Sequence, residues 1–270
     1  MLEPQNIEHS SSKEEKDYLF DYRDISVDSL PTQNFYGVPF SLLSRDEAIA
    51  HIFHFVETKE KVRHILFLDP LKFMLMRKGK QLNRIAQKAS MVLHNGAGIH
   101  WAAKNHKIDL KERFSIISLM MDLFRYSEKN HTTIYFLGGK EDILEKTYYI
   151  LTRRFPELRI VGRQAGYLSK TREVMVKEAI RKTEPDIIFV AMDFLEQEKW
   201  IENNMQYFGS SVVIGISGTL DVLAGVTKAP SYLQSRGLTW LWRTLTRPWN
   251  LHKMWILSRF YSKFLIPKNK

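Results

Sequence analysis

Residues 132–151 read TTIYFLGGKEDILEKTYYIL. A short run rich in Ile, Tyr, Phe and Leu ends at Gly138-Gly139, and a helical pattern starts at once. The order is strand, glycine turn, helix. Five further apolar runs alternate with helical stretches: RHILFLD (63–69), ASMVLH (89–94), LRIVG (158–162), PDIIFVAM (185–192) and SVVIGISG (211–218). They are continuous in Val, Ile, Leu and Phe rather than alternating with polar residues. Strands of that kind are buried on both faces, so the expected fold is α/β, a mainly parallel Rossmann-like sheet covered by helices. Ser44 and Glu47 form a capping box ahead of a helix that carries Ala48, Ile52 and Phe55 on one face.

In such a sheet ligands sit beyond the carboxyl ends of the strands. The residues there are Asp69-Pro70, Asn95-Gly96, Gly138-Gly139-Lys140, Gly162, Met192-Asp193 and Gly215 to Thr219. Lys140 and the backbone N–H groups after Gly138-Gly139 could hold a phosphate, although a tight connection explains such a turn as well. It is neither a Walker loop nor a GxGxxG fingerprint. Asp221 follows the second glycine turn, where it could equally serve a helix dipole. His94 and His100 flank Asn95 and could titrate near neutral pH, or be satisfied structural histidines. No HExxH or similar spacing implies a metal.

Composition bounds the rest. The 270 residues are 44% hydrophobic and 26% charged, with a formal net charge of +10. Cys is absent, which excludes disulfides, thiol nucleophiles and thiolate metal sites. The opening MLEPQNIEHSSSKEEKDYLF does not read as a signal peptide, and no apolar run approaches the ~20 residues of a spanning helix. A cytoplasmic protein, soluble or peripheral at the inner membrane face, is expected. Residues 1–30 carry eight acids against three bases and read as an acidic mobile arm. Residues 31–227 form the α/β domain. Residues 228–270 form a basic aromatic appendage.

That appendage has nine Lys or Arg and no acid. Arg236, Arg243, Arg247, Lys253, Arg259 and Lys263 interleave with Trp240, Trp242, Trp249, Trp255, Phe260 and Phe264. The composition suits a helix in a membrane interface, with Trp and Phe in the headgroup boundary and cations on anionic lipid. Nucleic acid is the rival anion, without any base-reading motif to support it. A helix packed within the molecule is the third reading.

Several landmarks occur in a fixed order from about Phe35 to Phe264: YGVPFSLLSRDEAI, NGAGIHWAA, FLGGKEDILEKTYYILTRRFPELRIVGRQAGY, PDIIFVAM, QEKWI, GTLDVLAG, KAP and GLTWLWRTLTRP. Together they resemble the WecG/TagA/CpsF family of bacterial glycosyltransferases. The resemblance implies transfer of an N-acetylmannosamine-type or related hexose from a nucleotide-diphosphate sugar, UDP-linked, to a polyprenyl-diphosphate-linked saccharide in cell-surface polysaccharide synthesis. It implies inversion without a metal or other cofactor, self-association, and an appendage that reaches the membrane. Its motifs fall on Gly138, Gly139, Lys140, Gly166, Tyr167, Gln197, Glu198, Gly218, Thr219, Asp221 and Arg243, the last a diphosphate clamp.

This chain also departs from the family pattern. A usual Thr-x-Asn is Phe67-Leu68-Asp69, and the Asp-Gly that supplies the family's general base is Asn95-Gly96. Ile116 and Ser118 replace a Gly and an Asp. Asp193, Leu195 and Glu196 stand for Gly, Pro and Lys, Ser217 for Gly, and Thr239 for Glu. An amide takes no proton at neutral pH, so one expectation is a catalytically impaired protein that binds or scaffolds at the membrane. The other starts from the paired exchange on two strand ends: Asp69 is the base, and Asn95, next to Gly96, orients the acceptor.

Overall fold

Side chains of β3 (Arg63–Leu68) point alternately into two helical layers, and both layers are apolar. Ile65 and Phe67 enter a core with α1 (Arg45–Thr58), α5 (Ile116–Lys129) and α6 (Glu141–Arg154). Leu66 and Leu68 enter a second core with α2 (Pro70–Lys78), α3 (Lys80–Lys88) and α4 (Ala97–Asn105). Burial on both faces is why RHILFL has no polar alternation. The same holds for β4 (Met91–His94), β5 (Thr133–Gly138), β7 (Ile187–Ala191) and β8 (Val212–Gly215). β6 (Arg159–Gln164), half exposed, is an edge.

The computed structural model describes residues 25–27, 29–113, 115–166, 170–226 and 251–264. Its six-stranded sheet is parallel throughout, in the order β4-β3-β8-β7-β5-β6. The fold class matches the sequence expectation. α7 (Lys170–Thr183) and α8 (Phe194–Asn204) cover Tyr135, Leu137, Ile188, Val190 and Val213 on the side shared with α2 and α3. A hairpin of β1 (Thr32–Phe35) and β2 (Val38–Ser41) lies beside β4, where Val92 N–H donates to Ser41 Oγ at 3.1 Å. From β3 the chain runs outward to β4, whereas β8 arrives last on the other flank of β3. The β3–β8 junction is thus where strand order reverses, the usual place for a crevice.

Ser44 caps α1 with the expected reciprocal bonds: its hydroxyl accepts from Glu47 N–H, and the Glu47 carboxylate accepts from Ser44 N–H. The acidic arm is narrowed at its end, because Ile25, Val27 and Leu30 pack against the α1–α5 core. Residues 1–24 lie outside the described residues, as do Tyr167, Arg243, Arg247, Trp249 and the proposed boundary at 227.

The appendage contributes α10 (Leu251–Phe264), which packs on α2 and α4. Ile256, Phe260 and Phe264 join the core that holds Phe35 and Phe73, and Leu257 is buried as well. Phe260 was expected to enter a membrane; it is fully buried within the protein and holds the helix in place. Trp255, Arg259 and Lys263 remain on the outer side. Lys253 lies in the first turn of the helix.

Candidate active site

The carboxyl ends of β3, β7 and β8 open onto a cleft of about 200 Å³. Each wall is a strand end running into a helix. Asp69, Leu71, Lys72 and Leu75 come from β3 and α2, and Met192 to Leu195 from β7 and α8; Ser217 and Gly218 follow β8. The sequence builds both helix starts alike, with an Asp at the N-cap. Asp69 Oδ1 accepts from Lys72 N–H at 2.9 Å, and Pro70 begins α2. Asp193 Oδ1 accepts from Leu195 N–H at 3.3 Å. The Lys72 ammonium sits 5.2 Å from the centre of the Phe194 ring. The cleft therefore offers two carboxylates and one cation above apolar walls.

Asp69 and Asn95 follow paired residues on neighbouring strands, since Leu68 is in register with His94 and Asn95 N–H donates to Leu68 O at 2.9 Å. The strands do place a carboxylate and an amide side by side. Their side chains have different surroundings. Asp69 lines the cleft, whereas Asn95 Oδ1 accepts from Ile116 N–H at 3.1 Å and ties the end of β4 to the start of α5. Gly96 has φ +80° and open space where a Cβ would be. Phe67 and Ile116 are both buried in the α1–α5 core and do not line this cleft.

The two glycine turns have distinct functions. A Cβ on Gly138 would come 2.3 Å from Ala191 O, and its φ is +106°. Gly139 N–H donates to that same oxygen at 2.7 Å, and Gly166 N–H donates to Gly139 O at 2.8 Å. The turn packs backbone on backbone, and Gly139 has no N–H to spare for a phosphate. Glu141 and Asp142 occupy the first turn of α6, with Lys140 exposed at its N-cap. These features fit a tight connection. The second turn reaches the cleft through Ser217 and Gly218. Thr219 is buried, its hydroxyl donating to Ile216 O at 2.5 Å, and Asp221 opens the short α9 (Leu220–Leu223).

Gln197 and Glu198 do not line the cleft. Both are fully buried beneath it. Gln197 Oε1 accepts from Ser217 N–H at 2.7 Å and from Met192 N–H at 3.4 Å. Gln197 Nε2 donates to Glu198 Oε1 at 2.7 Å, and Glu198 Oε2 lies 3.1 Å from His64 Nε2. Neither His64 nor this connection was singled out in the sequence. The only signal was a polar residue opening an apolar strand. Lys72 and Phe194 were also missed, as residues one helical turn past the strand ends.

His94 is not a neutral-pH titrant. Burial lowers its pKa to about 4; its backbone contact with Glu112 opposes this, and His100 beside it adds to the lowering. His100 is also lowered, first by burial and then by Lys104 and Arg113, with Asp109 opposing. Among the described residues no cluster of His, Asp and Glu gathers as a metal site, and no helix is long and apolar enough to cross a membrane.

A second surface lies over α2 and α10. Trp255 sits between Lys78 (5.5 Å) and Arg259 (4.7 Å), and Tyr36 between Arg77 (5.6 Å) and Lys263 (5.5 Å). Tail and domain thus share one array of cations and rings.

Comparison with known proteins supplies the remaining evidence. A stretch of 162 residues is 32% identical to the N-acetylglucosaminyldiphosphoundecaprenol N-acetyl-beta-D-mannosaminyltransferase of Staphylococcus aureus (strain NCTC 8325 / PS 47), covering 60% of this chain and 63% of that protein. A protein of the same name from Bacillus subtilis (strain 168) is 26% identical over 177 residues, 65% of this chain and 68% of its own length. The chain thus spans a little under two thirds of the Staphylococcus aureus relative. Both names are those of transferases, and neither supports a role in binding alone. The family model described as Glycosyl transferase WecG/TagA/CpsF family matches residues 33–269, from the first hairpin through the docked tail helix. With the parallel sheet and the order of its strand-end motifs, that match establishes that this chain belongs to the WecG/TagA/CpsF family of glycosyl transferases.

Proposed function

We propose that this protein is a glycosyltransferase moving an N-acetylmannosamine-type hexose from a nucleotide-diphosphate sugar to a polyprenyl-diphosphate-linked saccharide. The observation that carries this reading is the family match over residues 33–269, together with a cleft at the carboxyl edge of the sheet. Asp69 is the proposed base. Its Oδ1 is held by the start of α2, which fixes the carboxylate at the cleft wall and leaves Oδ2 to face the acceptor hydroxyl. As that hydroxyl attacks the anomeric carbon, its proton passes to Asp69 and the nucleoside diphosphate leaves, inverting the centre. Asn95 is proposed to orient the acceptor indirectly, by fixing the start of α5. Gly96, Gly166, Tyr167, Gly218 and Arg243 remain proposed substrate contacts, with Arg243 suited to a diphosphate. The protein works at the membrane surface, where its acceptor is anchored. Arg247, Trp249, Lys253, Trp255, Arg259 and Lys263 are proposed to meet the lipid.

The test is transfer from UDP-N-acetylmannosamine to a polyprenyl-diphosphate-linked N-acetylglucosamine. Wild type should form product, and Asp69→Asn should be slower by at least about 10²-fold with its unfolding midpoint retained. Equal rates would remove Asp69 from the mechanism. No product from wild type with any UDP-hexose would overturn the transferase reading.

A further inference from the structure

We infer that His64 is a positioning residue of the cleft, acting through Glu198 and Gln197 on the backbone of Met192 and Ser217. The inference rests on the transferase reading only for its kinetic consequence. Met192 and Ser217 lie on two walls of the cleft, one after β7 and one after β8. Their N–H groups converge on a single atom, Gln197 Oε1. Ser217 has φ +45°, a left-handed conformation that a non-glycine residue adopts only when its surroundings hold it there.

A side-chain amide can hold two N–H donors only while its oxygen faces them. Nothing in the shape of an amide distinguishes oxygen from nitrogen, so a neighbour must choose. Glu198 shares that choice with the two N–H donors, because its carboxylate accepts from Gln197 Nε2 at 2.7 Å and could not accept from an oxygen. Glu198 is itself fully buried, and its second oxygen, Oε2, makes no hydrogen bond among the described residues; His64 Nε2, which likewise makes none, lies in close contact with it at 3.1 Å. His64 is 4% exposed and enters from β3, opposite Val213. Gly215 clears the space: a Cβ there would meet Gln197 Nε2 at 2.3 Å and Glu198 Oε1 at 2.7 Å. Without the imidazole at position 64, the buried Glu198 carboxylate loses its polar contact at Oε2, and its hold on Gln197 loosens.

The experiment uses the full chain with His64→Leu, which lacks a donor, and His64→Gln, which restores one. Amide hydrogen exchange at Met192 and Ser217 is measured relative to Phe189 and Val213. His64→Leu should exchange both amides about tenfold faster or more, whereas His64→Gln should stay within about threefold of wild type. In the transfer assay His64→Leu should raise KM for the nucleotide sugar more than it lowers kcat. Unchanged protection in His64→Leu overturns the inference, and so does protection lost equally in both variants, which would indicate simple packing. Should leucine prevent folding, His64→Met takes its place with the same two outcomes. An inactive wild type would sink the transferase reading and leave the exchange result to decide the role of His64.

Discussion

Asp69 shows how a strand-end residue acquires two functions. One oxygen caps α2, and the side chain still borders the cleft. Asn95, its neighbour across the sheet, is committed to Ile116 N–H, a bond that an aspartate would make equally well. The amide at 95 is therefore compatible with the scaffold and does not mark its collapse. His94, one residue earlier, has a thermodynamic consequence. Its folded pKa of about 4 lies below the ordinary 6.5, so between these values the unfolded chain takes up a proton that the native state refuses. Stability should be complete above about pH 6.5 and fall as pH drops toward 4, by up to about 3 kcal/mol. His51, also lowered chiefly by burial, acts in the same direction. Urea unfolding of wild type and His94→Gln from pH 7.5 to 4.5 checks this: the variant should lose less stability on acidification. Parallel curves would exonerate His94.

At the scale of elements, α10 depends on its docking site. A helix of 14 residues is marginal alone in water, and Phe260 is one of two fully buried rings it supplies, packed against Phe73 and Phe264. Phe260→Ala should cost about 3–5 kcal/mol of local stability. The expected outcome is rapid protease cleavage within 254–263 while β3 and β8 keep their exchange protection. A helix as resistant as wild type would mean that other contacts seat it. The same helix shows where sequence reasoning stops. An amphipathic helix rich in Trp, Phe, Lys and Arg has the same composition whether it lies on lipid or on protein; only the receiving face, Phe35 and Phe73, separates the two. The strands were legible because burial on both faces leaves a pattern within each run itself. The glycine turns were legible as turns, but the need for Gly138 arises from Ala191, fifty-three positions away in a strand whose adjacency no local pattern encodes. Gln197 and Glu198 were recognisable as a motif, and the motif alone could not say whether they touch substrate or support those residues that do.

For the whole molecule, charge and aromatic residues from two regions meet on one surface. Arg77 and Lys78 of α2 extend the cationic array of the tail, flanking Tyr36 and Trp255. Each basic residue near an anionic bilayer contributes about 1 kcal/mol, so replacing both by Gln should weaken binding to phosphatidylglycerol vesicles by roughly tenfold or more, with less effect as salt rises. Vesicle affinity unchanged by this pair would confine the contact to the tail. A last consequence follows from α2, whose Leu71 and Leu75 border the cleft while its Phe73 receives α10. One helix is thus the partition between two compartments. If filling the cleft steadies that partition, seating the tail must favour filling the cleft by the same factor, since such coupling is reciprocal. A nucleotide that slows protease cleavage of the tail would reveal the coupling; cleavage at the same rate with and without nucleotide would show that the two sides of α2 act independently. With the coupling in place, a molecule whose tail helix is seated on α2 is also one whose cleft is readier for substrate, and whatever holds the tail down acts as an activator.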